Sequence, residues 1–345
     1  MSVSQGLACS GPVRMDPPPA RSSTPNQVAA DVDFRSSERG RRMRWFGLKR
    51  HVKRVLGWRV PHAFLRAAVE VLPRLAASGR LPAPANLKEV TGRIGGASFV
   101  MLASSRCVIA KELYWGKGRR PRAADQHAIE VFAALARGAD VMIDVGAYTG
   151  LFTLVSLAVD PRIEAHAFEI MPDVYRALFD NCVRNDVLHR VTLHHVGVGP
   201  ESVIRVPSGL RESALPDFYS SRMHFESGAQ IRLRPLDRLI PGIEPGARVV
   251  VKVDVEGTEN AVFGSGRGFL AAFRPDILCE VLPGVAEPAE LESLLAPNGY
   301  RYLLVREGDL EPREHIQVHP RYRDWVFTTR SPEELASAGI RVARA

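Results

Sequence analysis

The stretch Val141-Met142-Ile143-Asp144-Val145-Gly146-Ala147-Tyr148-Thr149-Gly150 decides how the rest of the chain is read. Its first half, Val141–Val145, is short, apolar and largely β-branched, which suits a strand covered on both faces in a parallel sheet. Gly146 allows a sharp turn, and Gly150 leaves the opening of the next segment without a Cβ. Leu151, Leu154, Val155 and Ala158 then recur at helical spacing on one face. A strand, a glycine turn and a helix make the first half of a nucleotide-cradling βαβ unit. Three residues separate the two glycines, so the pyrophosphate fingerprint G-x-G-x-x-G is not met.

Outward from this stretch the pattern alternates. A helix over 125–135, with Ile129, Phe132 and Ala133 on its apolar side, leads into the first central strand. Strands are expected over 163–168, 191–198, 249–255 and 277–282. Between them come a helix opened by Pro172, whose missing N–H costs nothing in a first turn, and a broken helix reaching Phe273. A further helix spans 287–296, and 301–305 with 325–329 would close the sheet as a pair. Such alternation predicts an α/β, doubly wound, mostly parallel sheet. Residues 200–236 break the pattern and read as a β-hairpin insertion or a substrate-facing loop. Upstream, 61–80 reads as a helix interrupted near Pro73, and Pro82 and Pro84 mark a linker. Short runs over 92–115, Cys107-Val108-Ile109 among them, predict a small β element.

The chain has 345 residues and is 46% hydrophobic, as expected of a soluble globular protein. No apolar run approaches the roughly 18 residues a membrane helix needs, and no secretory signal opens the chain. The four cysteines show no CxxC spacing, so reduced thiols and a cytoplasmic location are expected. The net charge of +8 sits at one end: residues 1–60 hold 12 Lys/Arg against 4 Asp/Glu, and the remainder holds 34 of each. A neutral body speaks against a nucleic-acid partner. Residues 1–40 read as disordered. Residues 41–58 form a basic amphipathic pattern, suited to weak contact with an anionic membrane surface or a partner, or to packing on the chain's own domain. The expected division is a disordered 1–40, a basic helical extension 41–90, a catalytic domain 91–330 and a tail 331–345 that reads as a short helix or disorder.

Charged residues at predicted strand ends carry the chemistry. Glu169 follows Asp144 by 25 residues and ends the second strand, where an acid accepts both hydroxyl hydrogens of a ribose. Asp144 is placed to orient the turn or to meet a ligand's ammonium group through water. In Val251-Lys252-Val253-Asp254-Val255-Glu256-Gly257, Lys252, Asp254 and Glu256 share one face of an otherwise apolar strand. Charge there is costly unless paired or near solvent, so the strand end opens into a site or belongs to an edge strand. Glu280 interrupts Ile277–Leu282 in the same way, as a substrate-side base or the partner of Lys252. His194 and His195 end the third strand in structural roles. No histidine has ligand spacing to these acids, so no metal is expected.

Val141–Gly150, Glu169, the run Lys252-Val253-Asp254-Val255-Glu256-Gly257-Thr258-Glu259 and Arg274-Pro275-Asp276-Ile277-Leu278-Cys279-Glu280 together resemble the FkbM family of methyltransferases. The glycine turn is similar to the D-x-G-x-x-x-G turn of S-adenosylmethionine-dependent methyltransferases. The resemblance covers 140–282 closely, 125–330 more loosely, and nothing before about 90. It implies a seven-stranded Rossmann-like methyltransferase sheet, S-adenosylmethionine as donor, and O-methylation of a small-molecule or glycan hydroxyl. Cofactor contacts then fall to Asp144, Gly146, Tyr148, Thr149, Gly150 and Glu169. Tyr148 stands where the family pattern often has Asn. A hydroxyl acceptor needs a general base, for which Asp254 and Glu256 are the candidates, with Glu280 behind them. The alternatives are a nicotinamide-dependent oxidoreductase, disfavoured by the missing fingerprint, and a non-catalytic protein acting through its basic N-terminal region.

Overall fold

A computed structural model describes residues 86–102, 106–208, 228–240, 242–284 and 287–343, together with residue 55, 59–71, 81 and 83–84. The expectations for 1–40 and for 41–58, Val55 apart, lie outside the described residues, as does Pro82. In chain order the first elements are helix α1 (Arg59–Val71), strands β1 (Glu89–Ile94) and β2 (Ala97–Leu102), and helices α2 (Val108–Trp115) and α3 (Ala123–Ala136). The central unit follows: β3 (Val141–Val145), α4 (Leu151–Val159), β4 (Glu164–Phe168), α5 (Pro172–Arg184), β5 (Val191–His194), β6 (Gly197–Val198), β7 (Ser202–Val206), β8 (Ala229–Arg234) and α6 (Leu236–Leu239). The remainder is β9 (Val249–Val253), α7 (Glu259–Gly264), α8 (Arg267–Phe273), β10 (Asp276–Glu280), α9 (Pro288–Leu295), β11 (Arg301–Val305), β12 (Leu310–Arg313), β13 (Asp324–Thr328) and α10 (Pro332–Ser337).

The main sheet runs β12-β11-β13-β10-β9-β3-β4-β5. The five strands from β10 to β5 are mutually parallel, and β13, β11 and β12 add antiparallel pairs. Seven of these strands were expected; the eighth, β12, is an edge hairpin partner of β11. Side chains alternate between two cores, as pleating requires. Met142, Ala165, Val250 and Leu278 meet α3, α4 and α5 on one face. Ile143, Val145, Val251, Val253, Ile277 and Cys279 meet α7, α8 and α9 on the other. The architecture is therefore a doubly wound α/β sheet between helical layers.

β9 pairs with β3 on one side and β10 on the other, which excludes an edge strand. Chain order reverses at this place: β3 leads to β4 on one side, whereas β9 lies on its other side. Ligands of such sheets bind at a switch point of this kind, outside the carboxyl ends of the strands.

Three expectations need correction. Cys107-Val108-Ile109 opens α2 rather than a strand: the Cys107 sulfur caps the helix by accepting from the Ala110 N–H at 3.4 Å, and Ala110 and Leu113 are buried. The strand expected over 191–198 is two strands in different sheets, because β6 pairs with β8 in a separate three-stranded sheet. There Gly197 passes so close to Leu233 and Ile170 that a Cβ would be crowded. The strand expected over 249–255 ends at Val253, which leaves Asp254 and Glu256 on the following loop. The tail from Ser331 is the short helix that was one of its two expected readings, and it packs into the core through Leu335 and Ile340, with Val342 bridging to Leu310. A capping box between Ser331 and Glu334 starts its helix. In the 200–236 insertion, β7 and β8 pair antiparallel as a hairpin would, and 209–227 lies outside the described residues.

The β1–β2 hairpin is tied to α5 by side-chain amides. Asn181 Oδ1 accepts from Leu102 N at 2.7 Å, and Asn185 both accepts from Val100 N and donates to Val100 O, each at 2.7 Å. These bonds satisfy backbone groups that would otherwise be an open sheet edge. No described helix is long and apolar enough to cross a membrane.

Candidate active site

The turn after β3 is built by close approach. Gly146 has φ +80°, and a Cβ there would lie 1.9 Å from the Asp254 carbonyl oxygen on the loop after β9. Gly150 has φ +89°, and its Cβ would meet Leu178 at 2.6 Å. Gly146→Ala therefore adds left-handed strain and a backbone clash. It is expected to cost about 3 kcal/mol or more, read as a lowered urea midpoint.

Asp144 is buried, and its Oδ2 accepts from the Thr153 hydroxyl at 2.6 Å and the Thr153 N–H at 3.0 Å. It orients the turn by tying the strand end to the first turn of α4. Burial raises its pKa to about 6. Thr149 is also buried; its hydroxyl meets the Cys107 thiol at 3.1 Å, and its carbonyl accepts from Asn181 Nδ2 at 2.7 Å. Tyr148 sits at φ +50°, a conformation that Asn adopts more readily than Tyr.

Glu169 reaches back to this turn. Its Oε2 accepts from Tyr148 N at 3.0 Å and its Oε1 from Met171 N at 2.7 Å. Burial raises its pKa to about 7 against those N–H donors, and the Asp144 charge adds to the rise. Each carboxylate oxygen keeps a lone pair beyond the bond it makes.

Across the switch point, Lys252 is 2% exposed and its Nζ lies 3.3 Å from Asp254 Oδ2 and over the Phe152 ring. The expected pairing of Lys252 with an acid is thus met by Asp254. Glu280 is instead held by Arg323, Nε to Oε1 2.8 Å. Antiparallel pairing places Asp324 opposite Glu280, which brings the neighbouring arginine across. Among the described residues, carboxylate oxygens of Asp254, Glu256 and Glu280 all lie within 4.8 Å of one another. Burial pushes Asp254 up, but Lys252, a hydrogen bond from Glu280 and Arg323 outweigh it and hold it below its ordinary value. Burial and the Asp254 charge push Glu280 well up, so it carries the proton of that pair. Burial, then repulsion from Asp254, raises Glu256 to about 7. Three oxygen donors of this kind suit a hard cation, but Lys252 and Arg323 already supply two positive charges here.

Glu256 stands at φ +55°, so each loop flanking the crevice holds a non-glycine residue in the left-handed region. Such strain gathers at functional sites. Glu259 does not join the cluster: it is buried and accepts from the Val255 and Gly257 N–H groups, which fixes the loop carrying Glu256. His194 stacks on Phe168 and meets His166 at 3.1 Å, and His195 stacks on Tyr175, so both are structural. Sequence reasoning missed Arg323, Thr153 and Asn181. The surplus of acids over Lys252 was the available sign that a second cation had to arrive from elsewhere.

Residues 144–302 match the family model described as the methyltransferase FkbM domain. The chain carries an FkbM methyltransferase domain. No curated protein matches the chain. Among solved structures, it is similar to a methyltransferase FkbM from Methylobacillus flagellatus KT, with 19% identity and a TM-score of 0.38, over 55% of this chain and 44% of that one. The FkbM-domain chain therefore spans less than half the length of that protein. It is also similar to a precorrin-6y C5,15-methyltransferase from Geobacter metallireducens GS-15 (13% identity, 59% and 87% of the two chains, TM-score 0.33). A third is M. jannaschii TYW2 in complex with AdoMet (14%, 70% and 84%, TM-score 0.36).

Proposed function

We propose that this FkbM-domain chain is an S-adenosylmethionine-dependent methyltransferase acting on a hydroxyl of a small molecule or glycan. What supports this most is the juxtaposition at the switch point of a glycine-built turn with Glu169 on one side and the Asp254–Glu256–Glu280 cluster on the other. The residues present suit the cofactor. Gly146 and Gly150 leave no Cβ against the turn, and Glu169 retains acceptor capacity for two ribose hydroxyls. S-adenosylmethionine supplies an activated methyl group on a sulfonium that leaves as a neutral thioether.

The protein's own work is alignment and proton removal. A hydroxyl acceptor methylated there would have to give up its proton to a group of this chain. Glu256 takes it, because a carboxylate with a pKa of about 7 matches neutral pH better than the strongly held Asp254. Asp254, anchored by Lys252, fixes the negative field beside it.

Calorimetry with S-adenosylhomocysteine, beside NADH, tests the cofactor assignment. Ribose hydroxyls donate to ionised Glu169, which is protonated below about pH 7 in the free protein. Affinity should therefore rise roughly ten-fold or more from pH 5.5 to 8, and Glu169→Gln should be weak and flat across that range. Absence of affinity for S-adenosylhomocysteine, or tight binding of NADH instead, overturns the proposal.

A further inference from the structure

Helix α1 (Arg59–Val71) meets the body of the protein through Leu65 and Val69, which pack on Tyr114 and Trp115 at the end of α2, with Leu81 beside them. Phe64, Ala67 and Ala68 are exposed on another side of the helix. At 75%, Phe64 is the most exposed large apolar side chain among the described residues. We infer that this face of α1 docks on an anionic lipid bilayer, with Phe64 entering the acyl boundary while basic residues near it in the chain meet the headgroup charge. The inference does not depend on the methyl-transfer reading.

Charge selects the partner. From Arg39 to Lys88 the chain holds 13 Lys/Arg and one acid, Glu70. Trp45, Phe46, Trp58 and Phe64 are interleaved with those cations. Exposed apolar surface amid unbalanced positive charge fits a partner that is negative at its surface and apolar just beneath. A bilayer holding anionic lipid has both layers, and it attracts a basic segment over about a Debye length. A duplex nucleic acid offers the charge but no apolar layer, and Phe64, Ala67 and Ala68 have no side-chain donor for its phosphates. A stable protein interface buries about 800 Å² on each side, which one Phe and two Ala do not supply. No described helix is long and apolar enough to cross a membrane, so α1 would lie on the surface rather than span it.

The docking face is joined to the crevice by α2. Trp115 ends that helix against α1, and Cys107, which caps its other end, lies 3.1 Å from the Thr149 hydroxyl in the glycine turn after β3. The 8 residues of α2 span about 12 Å, so a docked α1 keeps that turn near the bilayer.

Flotation of the full chain with lipid vesicles tests the inference. In about 0.1 M NaCl, vesicles of phosphatidylcholine with about 30% phosphatidylglycerol should bind at least about ten-fold more strongly than pure phosphatidylcholine. Raising the salt to about 1 M, where the Debye length falls to roughly 3 Å, should cost about ten-fold or more. Phe64→Ser should weaken binding by about five-fold or more, and Ala68→Leu should strengthen it by about three-fold or more. Both positions are exposed, so the urea midpoint should stay where it is in each variant. The gain in Ala68→Leu is a readout that a damaged fold does not imitate. Wild type that ignores the anionic vesicles, binds pure phosphatidylcholine equally well, or binds independently of salt overturns the inference. Undiminished vesicle binding by Phe64→Ser overturns it as well. DNA of about 20 bases, bound more tightly than the anionic vesicles at equal phosphate and without loss in Phe64→Ser, overturns it in favour of a nucleic-acid surface.

Discussion

Replacing Lys252 by Met should destabilise the protein by about 3 kcal/mol at pH 8, because breaking a buried ion pair strands its partner. Met keeps most of the stem volume beneath α4 and the contact with Phe152, so the loss reports the charge rather than a cavity. Lys252 is 2% exposed and Asp254 33%, which places the expected cost at the low end for such pairs. Without the ammonium, Asp254 and Asp324 repel one another across the ends of β9 and β13, and Glu280 holds its proton more firmly still. Their pKa values then rise in the folded state above those of the unfolded chain. Acids raised in this way favour the folded state when protonated, and that contribution is lost as pH rises through the folded values. The deficit of Lys252→Met should accordingly shrink toward pH 5 and be full at pH 8. Urea unfolding at the two pH values measures it, and an equal deficit at both would contradict the charge account.

Glu256→Gln is expected to lower kcat/KM by roughly 10² to 10⁴, the range of general-base catalysis, while S-adenosylhomocysteine affinity is unchanged. Gln is close to Glu in shape and leaves the Lys252–Asp254 pair intact, so a fall in rate is separable from a fall in stability. The wild-type kcat/KM should rise as pH passes about 7, where Glu256 gives up its proton. The Gln variant should lack that limb. Full turnover in Glu256→Gln would move the role of base to Asp254. Asp254→Asn is a less clean test, since it also removes the counter-ion of a buried lysine.

Sequence periodicity carried much of the architecture. β3, its glycine turn and α4 are local, and each of their signals acts over a few residues. That Lys252 needs an acid was legible in the strand pattern, but the acid named for it was Glu280, whereas the pair forms with Asp254, two positions away. The partner of Glu280 was not legible. Arg323 lies 43 residues downstream and arrives only through the register of β13 on β10. The left-handed conformations of Tyr148 and Glu256 were also hidden, because only glycine advertises that region in a sequence. Cys107-Val108-Ile109 misled for a related reason: β-branched residues suggested a strand, but a sulfur cap and tertiary packing made it a helix.

Asn181 donates to the Thr149 carbonyl and accepts from Leu102 with the same amide, so the glycine turn after β3 and the distant hairpin share one fastening. Leu102 lies 42 residues ahead of the matched segment 144–302, and Arg323 lies 21 residues past it. The span by which kinship is detected is thus shorter than the span that holds itself together. A fragment cut at those borders would part the crevice from its braces on both flanks. The smallest self-supporting piece has to begin ahead of Glu89 and run on beyond Ile340.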